Sequence, residues 1–345
     1  FWLFALVFAA ITISAAVTYE TPSKGIESVN QQLQRVVSDF EYRPSAEPYP
    51  MCDLPQNFGI PDTENSLSDV AFLSTLAYTN GKKQLQMVLD KWYGSNVASN
   101  QDEIVSVFKD AWGDAALNYK LINFNQQEGF AVVSISGPKT FASSLAGTKI
   151  WSGIGLSQAI RALMPLGDMW TPLLNKVVTI LSRLEMHSME GFTAAYEEVS
   201  AFVQTLIHSG EFSEVVLTGH GFGGGIAFIS GAQNELKALG LSAPSVLQIG
   251  STLNPPLSED QVHRNVLNIV PERDIISKLG TKPHRQQEIE CRTGASDILG
   301  CHDPIRSLCE IQFKCGSIGR PILCACHQIY GYDKPVAIGN QTFDE

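Results

Sequence analysis

The 345-residue sequence lacks an excess of basic side chains: 24 Lys and Arg stand against 35 Asp and Glu, which gives a net charge of −11. A surface that binds nucleic acid neutralises phosphates with a basic patch or stripe, so nucleic acid is not an expected partner. Internal repeats and low-complexity tracts are also missing. The hydrophobic content of 44% and the charged content of 17% are those of a globular chain. Its length fits one large α/β domain with appendages or two small domains.

The glycine-rich stretch at 219–224 lacks the lysine of a phosphate-binding loop. It follows an apolar run at 215–217 that predicts a buried strand, and it precedes a run that predicts a helix over about 224–239. The motif G-x-x-x-x-G-K-[ST] needs a Lys that is not there, and no acidic residue that would bind a ribose supports a dinucleotide site. Strand, tight turn and helix in this order are instead typical of a nucleophile elbow, G-x-S-x-G.

The elbow lacks its serine. The motif reads Gly219-His220-Gly221-Phe222-Gly223, with glycine at the central position. A residue with a side chain at that position is held in a strained conformation that costs about 1–3 kcal/mol, and glycine reaches such a conformation without a Cβ clash. The sequence therefore predicts that Gly221 preserves the turn and removes the nucleophile.

The sequence also lacks the C-x-x-C knuckle that is usual in structural zinc sites. Six of its seven cysteines nevertheless lie within a short C-terminal stretch, which predicts disulfide bonds and an oxidising compartment. These disulfide candidates are Cys291, Cys301, Cys309, Cys315, Cys324 and Cys326. The alternative is a zinc site at Cys324-Ala325-Cys326-His327. The sequence does not choose among the pairings, and Cys52 is either free or joined to the cluster.

An uninterrupted apolar run occupies residues 1–17. A helix that spans a bilayer needs about 17–25 such residues, whereas the apolar core of a signal peptide is shorter. We therefore expect an N-terminal transmembrane helix over 1–17, with a signal peptide cleaved near Ser14-Ala15-Ala16 as the alternative. Residues 18–65 are polar and Pro-rich, which predicts a linker or a strap laid over the domain, with a helical patch near 26–40.

Helical and strand-like patterns alternate along the rest of the chain. Helices are predicted near 66–77, 84–92 and 103–112, a largely helical cap over a cleft at 145–184, and strands at 129–136, 245–251 and 266–274. Alternation of this kind predicts an α/β fold whose mainly parallel sheet is covered on both faces by helices.

These residues resemble the class 3 (fungal-type) lipases of the α/β-hydrolase superfamily, within a protist and oomycete subgroup that has a Cys-rich tail. The elbow of that family, G-H-S-x-G-G, is matched at 219–224 apart from the serine. Its approach motif, H-x-G-F followed by a small residue and Tyr, is similar to the stretch from His187 to Tyr196. The resemblance covers about residues 66–320. It implies an α/β-hydrolase domain over 66–290 and a disulfide-rich tail over 291–345 that carries the family's histidine motif.

The resemblance also implies which residues form the site. The family acid follows Val-Pro, which indicates Asp274. The family histidine lies in a Cys-His setting before Arg-x-x-Cys-Glu, which indicates His302. With Gly221 at the nucleophile position, the order nucleophile, acid, histidine is that of α/β-hydrolases. Because the rest of the triad has gone, we expect the pair Asp274 and His302 to have been kept as a structural hydrogen bond.

The oxyanion region implied by the resemblance comprises Gly137, Pro138 and Phe222. In the family the strand before the cap ends in Arg-Gly-Thr or Arg-Gly-Ser, and here it ends in Ser136-Gly137-Pro138. Proline has neither a hydroxyl nor a backbone N–H, and the loss of one oxyanion donor lowers turnover by about 10²–10³-fold. Loss of the serine lowers it by about 10⁶-fold in a related site. The loss of two catalytic groups at one site indicates that the hydrolase activity has been lost.

The function expected from these features is that of a membrane-anchored pseudo-lipase. It would act as an accessory subunit docked with protein partners in a membrane assembly, or as a module that holds a lipid. The domain would lie on an oxidising, non-cytosolic side of the membrane, or be secreted if residues 1–17 are cleaved. No cofactor or metal is expected. The alternative function is an active hydrolase of acylglycerols or phospholipids.

Overall fold

The computed structural model describes residues 29–52, 67–79, 81–93, 98–99, 104–110, 113–124, 129–137, 176, 195–280, 285–294, 297, 299–317 and 319–338, and over 98–117 it describes the backbone alone. The predicted transmembrane helix at 1–17 and Pro138 lie outside the described residues, as does the predicted cap apart from Lys176. None of the helices in the described ranges is long and apolar enough to cross a membrane.

Twelve strands are found in the described residues. They are β1 (Val36–Val37), β2 (Phe40–Glu41), β3 (Ala98–Ser99), β4 (Ile104–Asp110), β5 (Gly113–Asn123), β6 (Phe130–Ile135), β7 (Glu214–His220), β8 (Ala238–Leu241), β9 (Val266–Pro271), β10 (Gln286–Ile289), β11 (Ile322–Leu323) and β12 (Val336–Ala337). Seven α-helices with both ends in the described residues accompany them: α1 (Leu67–Thr75), α2 (Lys82–Tyr93), α3 (Ala195–Ser209), α4 (Phe222–Gln233), α5 (Glu259–Asn265), α6 (Pro304–Cys315) and α7 (Cys324–Gln328). Residues 29–34 and Lys176 are also helical. Short 3₁₀ turns occupy Leu76–Tyr78, Gly250–Thr252 and Gly300–His302.

The central sheet has eight strands in the order β10-β9-β8-β7-β6-β5-β3, with β4 also paired to β5. The five strands from β10 to β6 are parallel, and β5, β3 and β4 pair in antiparallel fashion. The prediction of an α/β fold with a mainly parallel sheet is therefore confirmed. Because the carboxyl ends of the parallel strands share one edge, the segments that follow β6, β7, β8 and β9 lie close together there.

Both faces of the sheet are buried over β6 to β9, as expected for parallel strands. Alternate side chains of β7 enter different cores: Val216 packs with α1, α2 and α6, whereas Val215 and Leu217 pack with α3, α4 and α5. The predicted helices near 66–77 and 84–92 are α1 and α2, and the predicted strands at 129–136 and 266–274 are β6 and β9.

The helix predicted over 103–112 is wrong. This segment forms β4, which pairs with β5 from Ile104 opposite Tyr119 to Asp110 opposite Gly113. The β-branched residues of the run favour an extended backbone. A short apolar run does not distinguish a helix from a strand by its periodicity.

The strand predicted at 245–251 is also wrong, and the helix predicted to reach residue 239 ends at Gln233. Glu235 adopts a positive φ of 54°, which turns the chain into β8. The apolar side chains Val246 and Ile249 are buried outside the sheet, so their pattern reflects packing and not strand pairing.

The Pro-rich segment is tied to the C-terminal tail. Residues 29–34 of the predicted helical patch are helical, but the following residues form β1 and β2, which pair with β11 and β12. A disulfide joins Cys52 to Cys315, 263 positions further along the chain. The backbone N–H of Met51 also donates to the side chain of Gln287 on the edge strand β10. The described part of this segment is therefore held against the C-terminal tail and the edge of the central sheet.

Candidate functional site

The turn between β7 and α4 has the backbone of an elbow. Gly221 adopts φ 56° and ψ −128°, and its N–H donates to the carbonyl of Leu241 at 2.9 Å. This positive φ is one that side-chain-bearing residues rarely adopt. The turn therefore presents residue 221 at the carboxyl edge of the sheet, between β7 and the first turn of α4.

Two other elbow glycines are required by close packing. A Cβ on Gly219 would lie 2.6 Å from the carbonyl oxygen of Ile135, and one on Gly223 would overlap the same oxygen. Gly137 lies on the opposite side of this contact, with its Cβ position 3.6 Å from the backbone nitrogen of Gly223. The glycines thus let the end of β6 and the start of α4 approach within van der Waals distance.

Asp274 and His302, far apart in sequence, meet beside the elbow. Asp274 follows β9 and is fully buried, whereas His302 ends the 3₁₀ turn before α6. The His302 Nδ1 atom lies 3.2 Å from each carboxylate oxygen of Asp274. The structure therefore brings together the acid and the histidine singled out in the sequence, next to Gly221.

The carboxyl group of Asp274 is stabilised in its charged form. Burial raises its pKa, but the His302 ring, the nearby Ser242 hydroxyl and the N–H of Ile276 outweigh burial, so the pKa lies below its ordinary value. The N–H of Ile276 donates to Oδ1 at 2.9 Å. Asp274 is therefore a carboxylate near neutral pH, and it accepts a hydrogen bond from the Nδ1–H group of His302.

The imidazole of His302 occupies the space above residue 221. A Cβ built on Gly221 would lie 2.9 Å from Nε2 and 3.1 Å from Cε1 of His302. Contacts under about 3.0 Å are essentially never made by real Cβ atoms, so any side chain at 221 requires the ring to move. In its absence the ring of His302 lies against the bare turn.

His220, the residue before Gly221, is part of a buried hydrogen-bond chain. Its Nε2 lies 2.9 Å from the carbonyl oxygen of His302, so Nε2 carries the proton. Its Nδ1 then accepts from the hydroxyl of Tyr78 at 3.1 Å, and that hydroxyl accepts the N–H of Gly137 at 3.1 Å. The chain links the elbow, the end of β6 and the backbone of His302.

The imidazole of His220 is neutral. Burial, with a smaller contribution from the nearby His302 ring, lowers its pKa to about 3. A neutral ring can donate from one nitrogen and accept at the other, which is what the bonds to the carbonyl of His302 and to Tyr78 require.

The main chain that carries His302 is held by a disulfide and an arginine. Cys301, its neighbour, is bonded to Cys291. Arg273 donates from Nη2 to the carbonyl of Cys291 at 2.7 Å and to that of Thr293 at 3.1 Å. Since Arg273 precedes Asp274, the two segments that supply the acid and the histidine are fastened to each other.

The oxyanion region predicted from the sequence is described in part. Phe222 is the first residue of α4 and is largely buried, and the N–H of Gly137 is bonded to Tyr78. Sequence reasoning missed Tyr78, which precedes His220 by 142 positions. No local signal marks such a contact.

Three disulfides are present among the described residues: Cys52–Cys315, Cys291–Cys301 and Cys309–Cys326. They confirm the prediction of disulfide bonds, and they indicate an oxidising, non-cytosolic environment. The prediction that Cys324 forms a disulfide is wrong, because its thiol is free. Cys52 forms a disulfide with a cysteine of the cluster instead. The zinc alternative is excluded for 324–327, because the sulfur of Cys326 is bonded to Cys309.

No protein-family model matches the sequence, and a search of curated proteins finds no match. Among solved structures, the chain is similar to one described as "Crystal structure of M37 lipase", with a TM-score of 0.35 and 12% identity. The match covers 61% of this chain and 68% of that chain. A likeness of this size carries no functional argument, so the interpretation of the site depends on its own geometry.

Proposed function

We propose that this protein is a pseudo-lipase: a class 3 lipase-like α/β-hydrolase domain that no longer hydrolyses glycerides. The positions of Gly221, Asp274 and His302 support the proposal, because they converge at the carboxyl edge of the sheet in the order nucleophile, acid, histidine. The elbow backbone at Gly221 supports it as well.

The observation that carries the proposal is the contact between Gly221 and His302. The nucleophile position has no oxygen, and Nε2 of His302 lies 2.9 Å from where a side chain there would begin. A general base without a hydroxyl to deprotonate does not generate a serine nucleophile. In a related site, loss of the serine lowers turnover by about 10⁶-fold.

For a domain without this hydrolase activity, the role that we propose is binding. We propose an accessory subunit in a membrane assembly, anchored through residues 1–17, with the strap and the disulfide-linked tail stabilising its surface. The links Cys52–Cys315, β1–β11 and β2–β12 support this view, since they fasten the strap to the tail. A rigid, disulfide-linked surface is suited to docking, because less conformational entropy is lost on binding.

Ester hydrolysis by the purified full chain tests the loss of activity. A triglyceride is the substrate, and the wild type is compared with His302→Ala. The proposal predicts equal rates at the level of the buffer blank. A wild-type rate that disappears in His302→Ala would overturn it and favour the active-hydrolase alternative, in which the Asp274–His302 pair activates a water directly.

Purification from native membranes tests the binding role. The proposal predicts that the chain stays with the membrane fraction and that cross-linking joins its strap or tail to other proteins of one complex. Recovery of the chain alone with one class of lipid bound would instead support the lipid-holding version. Recovery alone without lipid would contradict both versions.

A further inference from the structure

The histidine of this site retains a reactive nitrogen. We infer that Nε2 of His302 accepts an acyl group from donors with a good leaving group, such as aryl esters and thioesters, and forms an acyl-imidazole. This activity goes beyond the proposed binding role, although it uses the same site. It needs no serine, because the nucleophile is the imidazole itself.

The tautomer of His302 places a lone pair on Nε2. Asp274 is a fully buried carboxylate whose oxygens both lie 3.2 Å from Nδ1. A carboxylate only accepts hydrogen bonds, so Nδ1 carries the proton of the neutral ring and Nε2 carries none. The negative charge of Asp274 also makes the ring more electron-rich, as carboxylate partners do for histidines that bind metals.

The surroundings of Nε2 leave it without a competing partner. No hydrogen bond to this nitrogen is found within the described parts of the chain, and the His302 side chain is 21% exposed. Residue 221, which supplies the attacking oxygen in a hydrolase, has no side chain beyond Cα here. An acyl carbon bound at this turn therefore contacts the imidazole nitrogen and not a hydroxyl group.

The ring is also held in place from behind. The carbonyl of His302 accepts a hydrogen bond from His220 at 2.9 Å, and Cys301 is fixed by its disulfide. A nucleophile that is already oriented loses little entropy when it reacts.

The other described histidines lack this arrangement. Nδ1 of His208 bonds to the carbonyl of Gln204 in its own helix, and Nδ1 of His327 bonds to the carbonyl of Tyr332. His263 faces the exposed Glu259 at 3.7 Å. His220 is buried, with both nitrogens bonded. Of the contacts described for these five histidines, the one that joins Nδ1 to a buried carboxylate is that of His302 with Asp274.

The chemistry balances without a further reactant. Nε2 forms a bond to the acyl carbon, the bond from that carbon to the leaving oxygen or sulfur breaks, and the leaving group departs with the electron pair. The Nδ1 proton is shared with Asp274 and then lost to solvent, and water later hydrolyses the acyl-imidazole to the carboxylic acid. A glyceride does not react, because its alkoxide is a poorer leaving group than imidazole and the tetrahedral adduct expels imidazole instead.

The test uses the full-length protein with p-nitrophenyl acetate as the probe. Release of p-nitrophenolate is followed in the wild type, in His302→Gln and in the control His208→Gln, and acetylated peptides are sought by mass spectrometry after rapid quenching. We expect the wild type to release nitrophenolate at least about tenfold faster than His302→Gln. His208→Gln should match the wild type, with the acetyl group found on the peptide that contains His302.

A second variant guards against misfolding of His302→Gln. Gly221→Ala keeps the imidazole, but its methyl group forces the His302 ring to move, because it would otherwise lie 2.9 Å from Nε2; it should therefore slow the release while circular dichroism stays that of the wild type. Equal release in the wild type and His302→Gln, or acetylation confined to other residues, would overturn the inference. Glyceride turnover would contradict the pseudo-lipase proposal instead, so the two failures are distinguishable.

Discussion

The Nε2 atom of His302 lies 2.9 Å from the point at which a side chain on Gly221 would begin. A serine at 221 would therefore collide with the imidazole of His302 in its present position. At the opposite end of the ring, Nδ1 is 3.2 Å from Asp274, longer than the roughly 2.7–2.9 Å of a charge-assisted bond. The ring of His302 therefore lies against the bare turn at one end and against its carboxylate partner at the other.

The first prediction concerns the buried hydrogen-bond chain. Replacing Tyr78 by Phe removes the hydroxyl that bonds Nδ1 of His220 and the N–H of Gly137. Each buried group left without a partner costs about 1–3 kcal/mol. We expect Tyr78→Phe to lower the free energy of unfolding by about 2–4 kcal/mol in chemical denaturation.

The adjacent Thr79 provides a matched control for that variant. Its side-chain oxygen is buried and has no hydrogen-bond partner within the described residues. Thr79→Val should therefore leave the free energy of unfolding nearly unchanged. Equal stability of Tyr78→Phe and Thr79→Val would show that the chain of hydrogen bonds contributes nothing.

The second prediction concerns the pH dependence of stability. The pKa of His220 is about 3 in the folded protein and about 6.5 in an unfolded chain. Between these values the unfolded state binds more protons, so stability from the neutral ring is complete above about pH 6.5 and is lost as pH falls toward about 3. The slope is at most about 1.4 kcal/mol per pH unit.

Denaturation of the wild type and His220→Gln at a series of pH values measures this contribution. We expect the difference in the free energy of unfolding to favour the wild type at neutral pH and to shrink as the pH falls below about 6.5. His208→Gln, at an exposed position, controls for the loss of a histidine. A difference between wild type and His220→Gln that is constant from neutral pH to about pH 4 would contradict a neutral His220.

The third prediction concerns the link between strap and tail. Cys52→Ala together with Cys315→Ala removes a disulfide that spans 263 positions. Loss of a native disulfide destabilises a protein by about 2–5 kcal/mol, and we expect a decrease in that range in denaturation without reductant. Cys324→Ala is the control, because its thiol is free. A decrease of the same size in Cys324→Ala would be inconsistent with this pairing.

The elbow and the acid–histidine pair could be predicted because their signals are local. Glycine spacing placed Gly221 on a turn after a strand, and the resemblance to the class 3 lipases indicated Asp274 and His302. The partners of these residues could not be predicted in the same way. The contact of Tyr78 with His220 and the pairing of Cys52 with Cys315 depend on the folded chain, and nothing in the neighbouring sequence encodes them.

The errors in secondary structure have a common physical cause. An apolar run in the sequence indicates burial, but strands, helices and irregular segments of a core are all buried, so the run does not distinguish among them. Residues 104–110 were expected to be helical and form β4, whereas the buried Val246 and Ile249 were expected in a strand and pair with none. The position of β8 follows from a turn at Glu235 in a positive-φ conformation, which a non-glycine residue does not reveal in sequence.

Triglyceride hydrolysis by the wild type and by Gly221→Ser, measured side by side, tests the central claim most directly. The turn already has an elbow backbone, Asp274 and His302 are already paired beside it, and a serine at 221 requires the His302 ring to shift. The account predicts a silent wild type and a Gly221→Ser variant that gains turnover, which His302→Ala then abolishes. Hydrolysis by the wild type at a rate that depends on His302 would contradict it.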